Sequence, residues 1–137
     1  MTKQEYLAQV ANLNRTIEKK RARVKEYRDL ASSPASTAPS GTRVDRTRST
    51  EAPFAKWVYK IVELEAEIEK LQERVDNLQA VIIGAIEALD NEDYKTLLVY
   101  RYLKDMSWES VAEAMFISRW TAMRWHKEAI SLLELPI

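Results

Sequence analysis

Apolar residues recur along this chain at alternating spacings of four and three, which marks a narrow stripe along one side of a helix. Within residues 3–31 the stripe is Tyr6, Val10, Leu13, Ile17, Lys20, Val24 and Tyr27, and only Lys20 is not apolar. A helix of that length extends roughly 45 Å. A second stripe runs from about residue 53 to residue 89: Phe54, Trp57, Ile61, Leu64, Ile68, Leu71, Val75, Leu78, Ile82, Ala85 and Leu89. Every position of this repeat is apolar, which predicts a coiled-coil helix. Pro53 suits the first helical position, where its missing N–H costs nothing. Gly84 costs about 1 kcal/mol relative to alanine in a helix interior. It marks either a close approach between helices or an incidental weak point.

Between the two stripes the pattern lapses. Ser, Thr and Pro make up 12 of the 22 residues from 32 to 53, and Arg43, Arg46 and Arg48 stand among the rest. Too little apolar surface is available there to offset ordering, so the stretch reads as a flexible linker. A span of about 21 residues reaches up to roughly 70 Å. That length permits a hairpin within one chain and equally a pairing between chains, a homo-oligomer through the heptad helices.

Asp90, Asn91, Glu92 and Asp93 end the long helix and supply cap and first-turn residues for a new one. Three shorter helices are predicted, at about 92–104, 108–115 and 119–134. The domain scheme is thus an amphipathic helix at 1–31, a linker at 32–53, a long helix at 54–89 and a small helical domain at 90–137. The fold class is all-α: long heptad-patterned helices, as a coiled-coil hairpin or dimer, followed by a three-helix unit.

The last unit carries the functional signal. Ser107 and Ser118 are each placed to cap a helix through the hydroxyl. Val111, Ala112 and Met115 share one side of the first of these helices, Ala112 being small where a second helix must cross. Ile117 is an apolar plug in the turn. Short helix, tight turn and longer helix make a helix-turn-helix unit. On the final helix Ala122, Trp125, Ala129 and Leu132 or Leu133 fall on the packing side. Arg119, Trp120, Met123, Arg124 and Lys127 fall on the other, with three cations and no acid between residues 119 and 127. That is what a helix entering the major groove of double-stranded DNA needs: arginine for guanine, lysine or arginine for phosphate, apolar groups for thymine methyls. Each cation alone is ordinary solvated surface. Trp120 and Met123 on the same face call for a partner, which a protein could also supply.

Charge refines this picture. The net charge is zero, yet residues 1–50 carry 11 Lys/Arg against 5 Asp/Glu, residues 51–89 carry 4 against 8, and residues 90–137 carry 6 against 8. The first helix is basic and the second acidic, so their outer faces are complementary. DNA contact must come from local patches rather than an overall basic surface. The chain holds no cysteine and one histidine. Disulfides, thiolate metal sites and thiol nucleophiles are excluded. The longest apolar run, residues 80–86, is too short to cross a bilayer, and the polar start lacks a signal-peptide core; no membrane association is expected. Without a Gly-rich phosphate loop or a nucleophile paired with histidine, no enzyme, cofactor or metal site is expected.

Other residues have plainer readings. His126 is read as a surface residue beside the reading face, within reach of a phosphate. Trp108, at a helix start, is read as core. Trp57 and Phe54 open the second stripe and are also read as core. Arg43, Arg46 and Arg48 are read as solubilising, a phosphate-gripping arm being the alternative. Lys20 is read as laying its stem along the first stripe with its ammonium in water.

Arg101, Tyr102 and Leu103, then Ser107 to Glu113 (SWESVAE), Ile117, Ser118 and Arg119, and the closing run AISLL at 129–133 resemble the promoter-reading helix-turn-helix of bacterial sigma factors. The chain is most similar in kind to small phage and prophage regulators of the ArpU/RinA type. Tyr6 and Leu7, the Ser/Thr-rich linker and the run LLVYRY at 97–102 extend the likeness. It covers most of the chain and is specific over about residues 97–133. The resemblance implies a transcription regulator in the bacterial cytoplasm that binds promoter DNA, with RNA polymerase as a further expected contact. It makes Ser118, Arg119, Trp120, Thr121, Met123, Arg124 and Lys127 the DNA-facing residues. Phe116 departs from the pattern, because those families often place Gly or Asn there to accept a left-handed backbone. Phenylalanine implies strain or a different turn. Two other readings compete with regulation: a DNA-packaging role like that of small terminase subunits, which would assemble rings, and a protein-interaction adaptor docking through Trp120 and Met123.

Overall fold

The computed structural model describes residues 1–32 and 55–137. The linker arginines Arg43, Arg46 and Arg48, with Pro53 and Phe54, lie outside the described residues. The order is α1 (Lys3–Ser32), α2 (Ala55–Glu87), α3 (Glu92–Leu98) continued by a π-helical turn (Val99–Leu103), α4 (Trp108–Met115) and α5 (Arg119–Leu132). No strand occurs among the described residues, and the fold is all-α. None of these helices is long and apolar enough to cross a membrane.

The chain divides into two compact units, and the division cuts through the long helices. One comprises Met1–Arg15 with Gln72–Ile137, the other Thr16–Leu71. In the second, the α1 and α2 segments run antiparallel within one chain. Lys20 Nζ meets Glu67 Oε1 at 3.4 Å, Arg28 Nη2 meets Glu65 Oε2 at 2.6 Å, and the Tyr27 and Trp57 rings stack with centroids 5.4 Å apart. Both ion pairs cross from basic α1 to acidic α2. With every partner but Lys20 about half exposed or more, each pair contributes at most about 1 kcal/mol, so they set orientation more than stability. Ile17, Val24 and Leu64 are buried there. The Lys20 side chain is only 22% exposed, its stem covered while the ammonium reaches Glu67.

The first unit is built around helix ends that satisfy themselves. Thr2 and Glu5 form a reciprocal capping box at the start of α1: Glu5 N–H donates to Thr2 Oγ1 at 3.1 Å, and Thr2 N–H to Glu5 Oε1 at 2.8 Å. Those hydrogen bonds hold the Glu5 carboxyl below its ordinary pKa. Leu7 and Val10 are fully buried on the next turns. Lys3 Nζ donates to the carbonyls of Ile130 (3.1 Å) and Ser131 (3.4 Å) in the last turn of α5, where a cation meets the negative end of the helix. The N-terminal helix is therefore part of the core that carries α5. From α2 this core takes Val75, Ile82 and Ile86; from α3, Leu97 and Leu98. A Cβ at Gly84 would meet nothing within 4 Å, so no close helix approach requires this glycine.

Asn91 caps α3, its side-chain oxygen accepting from the N–H groups of Asp93 (2.8 Å) and Tyr94 (3.2 Å). The predicted helix at 92–104 loosens in its last turn into the π-helical stretch, closed by Lys104 N–H to Val99 O at 3.0 Å. Asp105 follows with φ 52°, in the left-handed region that aspartate tolerates.

Candidate nucleic-acid interface

The helix-turn-helix connection is residues 116–118. Ser107 Oγ accepts from Ser110 N–H at 3.2 Å and starts α4; Ser118 Oγ accepts from Thr121 N–H at 3.0 Å and starts α5. Between them Ile117 N–H returns to Ala112 O at 3.0 Å, the six-to-one bond of a Schellman motif. That bond requires a left-handed residue before it. Phe116 takes that conformation, φ 58° and ψ 41°, with its ring 94% exposed. The turn is therefore the ordinary one, held under strain, rather than a different turn. A left-handed non-glycine residue costs roughly 1–2 kcal/mol.

Burial divides α5 into two sides. Ala122 and Ala129 are fully buried, and Leu133 rather than Leu132 closes the packing side, Leu132 being 59% exposed. Val111 and Ala112 of α4 are buried against this core, small side chains allowing the helices to approach. On the outer side Arg119, Trp120, Met123, Arg124 and Lys127 are all exposed. Ser118 and Thr121 stand differently. Their hydroxyls bond each other at 2.9 Å within the cap, and Thr121 is half-buried.

The cations of this face are held in distinct ways. Arg119 Nη1 lies 3.0 Å from Oε1 of Glu109, in the first turn of α4. The Arg124 guanidinium lies over the Trp120 ring, 4.9 Å from its centroid, so the two planar groups form one unit. Lys127 has no ion-pair partner among the described residues. The nearby acid Glu128 accepts a short hydrogen bond from the Tyr94 hydroxyl of α3, which raises the tyrosine pKa. Glu128 is thus tied to α3.

His126 is not a surface residue beside this face. It is 8% exposed, and its Nε2 lies 2.6 Å from the Tyr102 hydroxyl. Trp108 meets the imidazole edge-on, with centroids 4.8 Å apart, and Arg101 covers the Trp108 ring at 4.8 Å. Arg101 also donates to Met106 O at 2.7 Å. The π-helical turn delivers Arg101 and Tyr102 to this cluster. Burial, with the Arg101 charge second, lowers the His126 pKa from 6.5 to about 4, and burial raises that of Tyr102. At neutral pH the imidazole is neutral and the phenol protonated, and the imidazole tautomer decides which of the two donates. His126 is therefore a core residue joining the π-turn, α4 and α5 through Tyr102 and Trp108. Its place at i+4 from Ala122 and i−3 from Ala129 on the packing side was the available sequence signal. No cluster of three potential metal ligands occurs among the described residues.

The contacts that Glu109, Lys3 and Tyr102 make were not legible in the sequence. Their partners lie across a turn or at the far end of the chain, where no local period reaches. The Thr2 and Glu5 capping box escaped sequence reasoning too, although the T-x-x-E spacing could have shown it.

The fold and this face define a class: an all-helical protein ending in a helix-turn-helix unit whose last helix presents cations and large apolar groups to its surroundings. Within that class the chain belongs to the family described as protein of unknown function, DUF1492, whose model matches residues 54–134. No curated protein and no solved structure matches the chain.

Proposed function

We propose that the chain binds double-stranded DNA with α5 in the major groove and acts as a transcription regulator. The observation that carries this reading is the outer side of α5, where Arg119, Trp120, Met123, Arg124 and Lys127 stand exposed together on a helix whose N-terminus is firmly capped. A rigid, capped helix start with forked arginine donors suits base edges, and lysine suits phosphate. The resemblance to sigma-like regulators of the ArpU/RinA type adds the promoter, the phage or prophage setting and a contact with RNA polymerase.

The test is fluorescence anisotropy with promoter DNA fragments at two salt concentrations. Binding that weakens steeply with salt, and that Arg119→Ala/Arg124→Ala abolishes, is the expected result. Lys127→Ala should flatten the salt slope by about one unit, as loss of one phosphate contact does. Absence of binding at low salt would sink the reading. A second reading, docking of a protein on this face, draws on Phe116 at 94% and Trp120 at 69% exposure. It takes first place if binding to a protein partner resists salt and DNA is ignored.

A further inference from the structure

We infer that Glu109 is a specificity-determining residue: it fixes Arg119 so that the free edge of the guanidinium reads a guanine. This rests on the DNA reading above. Glu109 lies in the first turn of α4 and Arg119 opens α5, and their side chains meet across the turn, Nη1 to Oε1 at 3.0 Å, while Arg119 remains 58% and Glu109 67% exposed. An acid in the first turn of α4 also faces the positive end of that helix dipole, so Glu109 is held from its own side as well. The geometry leaves a particular part of Arg119 available. Arginine carries five N–H donors in a flat fork. With Nη1 engaged by Glu109, the Nε–Nη2 edge remains, two parallel donors matching O6 and N7 of guanine in the major groove. Anchoring one side of the fork removes side-chain freedom before DNA arrives and fixes the plane in which the other side points. A carboxylate at a phosphate-binding surface otherwise only repels DNA. Its pairing with the first residue of α5 gives that unfavourable charge a use, since it weakens indiscriminate binding and sharpens choice of base.

The experiment is selection from a random-sequence duplex pool by the full chain, comparing wild type with R119A, R119K and E109Q. Wild type should enrich guanine at a fixed position of the site. R119A and R119K should lose that preference, on the order of tenfold or more, lysine because it lacks the fork. E109Q should lose most of the preference at that same position while its binding to unselected duplex strengthens. If E109Q keeps the wild-type base preference, or relaxes every position equally, the inference is overturned. Enrichment of no base by wild type overturns it too, although salt-dependent binding would leave the DNA reading standing. Failure of wild type to retain any duplex at low salt sinks the DNA reading beneath it.

Discussion

His126 shows how one side chain changes meaning once its surroundings are known. An imidazole with a pKa of about 4 in the fold and 6.5 when free is held neutral by its burial. As pH falls below 6.5 the unfolded chain takes up a proton that the folded chain refuses until about pH 4. The stability His126 contributes is therefore complete above pH 6.5 and is lost progressively down to about pH 4. The loss should be on the order of 2 kcal/mol, allowing for solvent screening at the rim of the cluster. Urea midpoints of wild type and His126→Gln, compared from pH 7 to pH 4, isolate this from the carboxylates, and a difference that does not change with pH would contradict it. Phe116 gives a second prediction at this scale. Glycine accepts φ 58° without strain. Phe116→Gly should stabilise by about 0.5–1 kcal/mol after its larger unfolded-state entropy is set against the relieved strain. A raised thermal midpoint is the readout, and a lowered one would mean that the exposed ring makes contacts worth more than the strain.

Among the helices, the long ones were the most legible and the short ones the most informative. A 33-residue α2 follows from an unbroken apolar repeat, and its single glycine interrupts nothing. Because a Cβ at Gly84 meets open space, Gly84→Ala should stabilise α2 by about 1 kcal/mol, read as a shift in denaturant midpoint at constant slope. A loss of stability there would reveal a close approach that the fold does not contain. The capped starts of α4 and α5 were readable from Ser107 and Ser118, since a hydroxyl before a helical run has few better uses. The π-helical turn at Val99–Leu103 was not readable. Its cause is tertiary: it delivers Arg101 and Tyr102 to Trp108 and to His126, the last of which lies 24 residues beyond Tyr102.

Across the whole molecule, the compact units do not follow the helices. Met1–Arg15 share a unit with Gln72–Ile137, and Lys3 closes the end of α5 from more than a hundred residues away. Leu7→Ala should therefore destabilise the helix-turn-helix unit by about 2–5 kcal/mol, as the loss of a fully buried leucine does. Hydrogen exchange checks it: amides of α3, α4 and α5 should lose protection together with those of the first turns of α1. Unchanged protection in α3–α5 would show that the unit stands without its N-terminal helix.

What the sequence determined by itself is local. The apolar periods set which residues form α1 and α2, serine hydroxyls set where α4 and α5 begin, and the 3.6-residue turn of α5 set which of its residues could share a face. The tertiary structure decided what those residues meet. It turned His126 inward, chose Leu133 over Leu132, held Phe116 in a left-handed turn, and brought Glu109 to Arg119 and Lys3 to the end of α5. The physical reason is range. Periodicity and capping act over one or two turns of helix, whereas a burial or an ion pair depends on chain segments that only folding brings within a few ångströms.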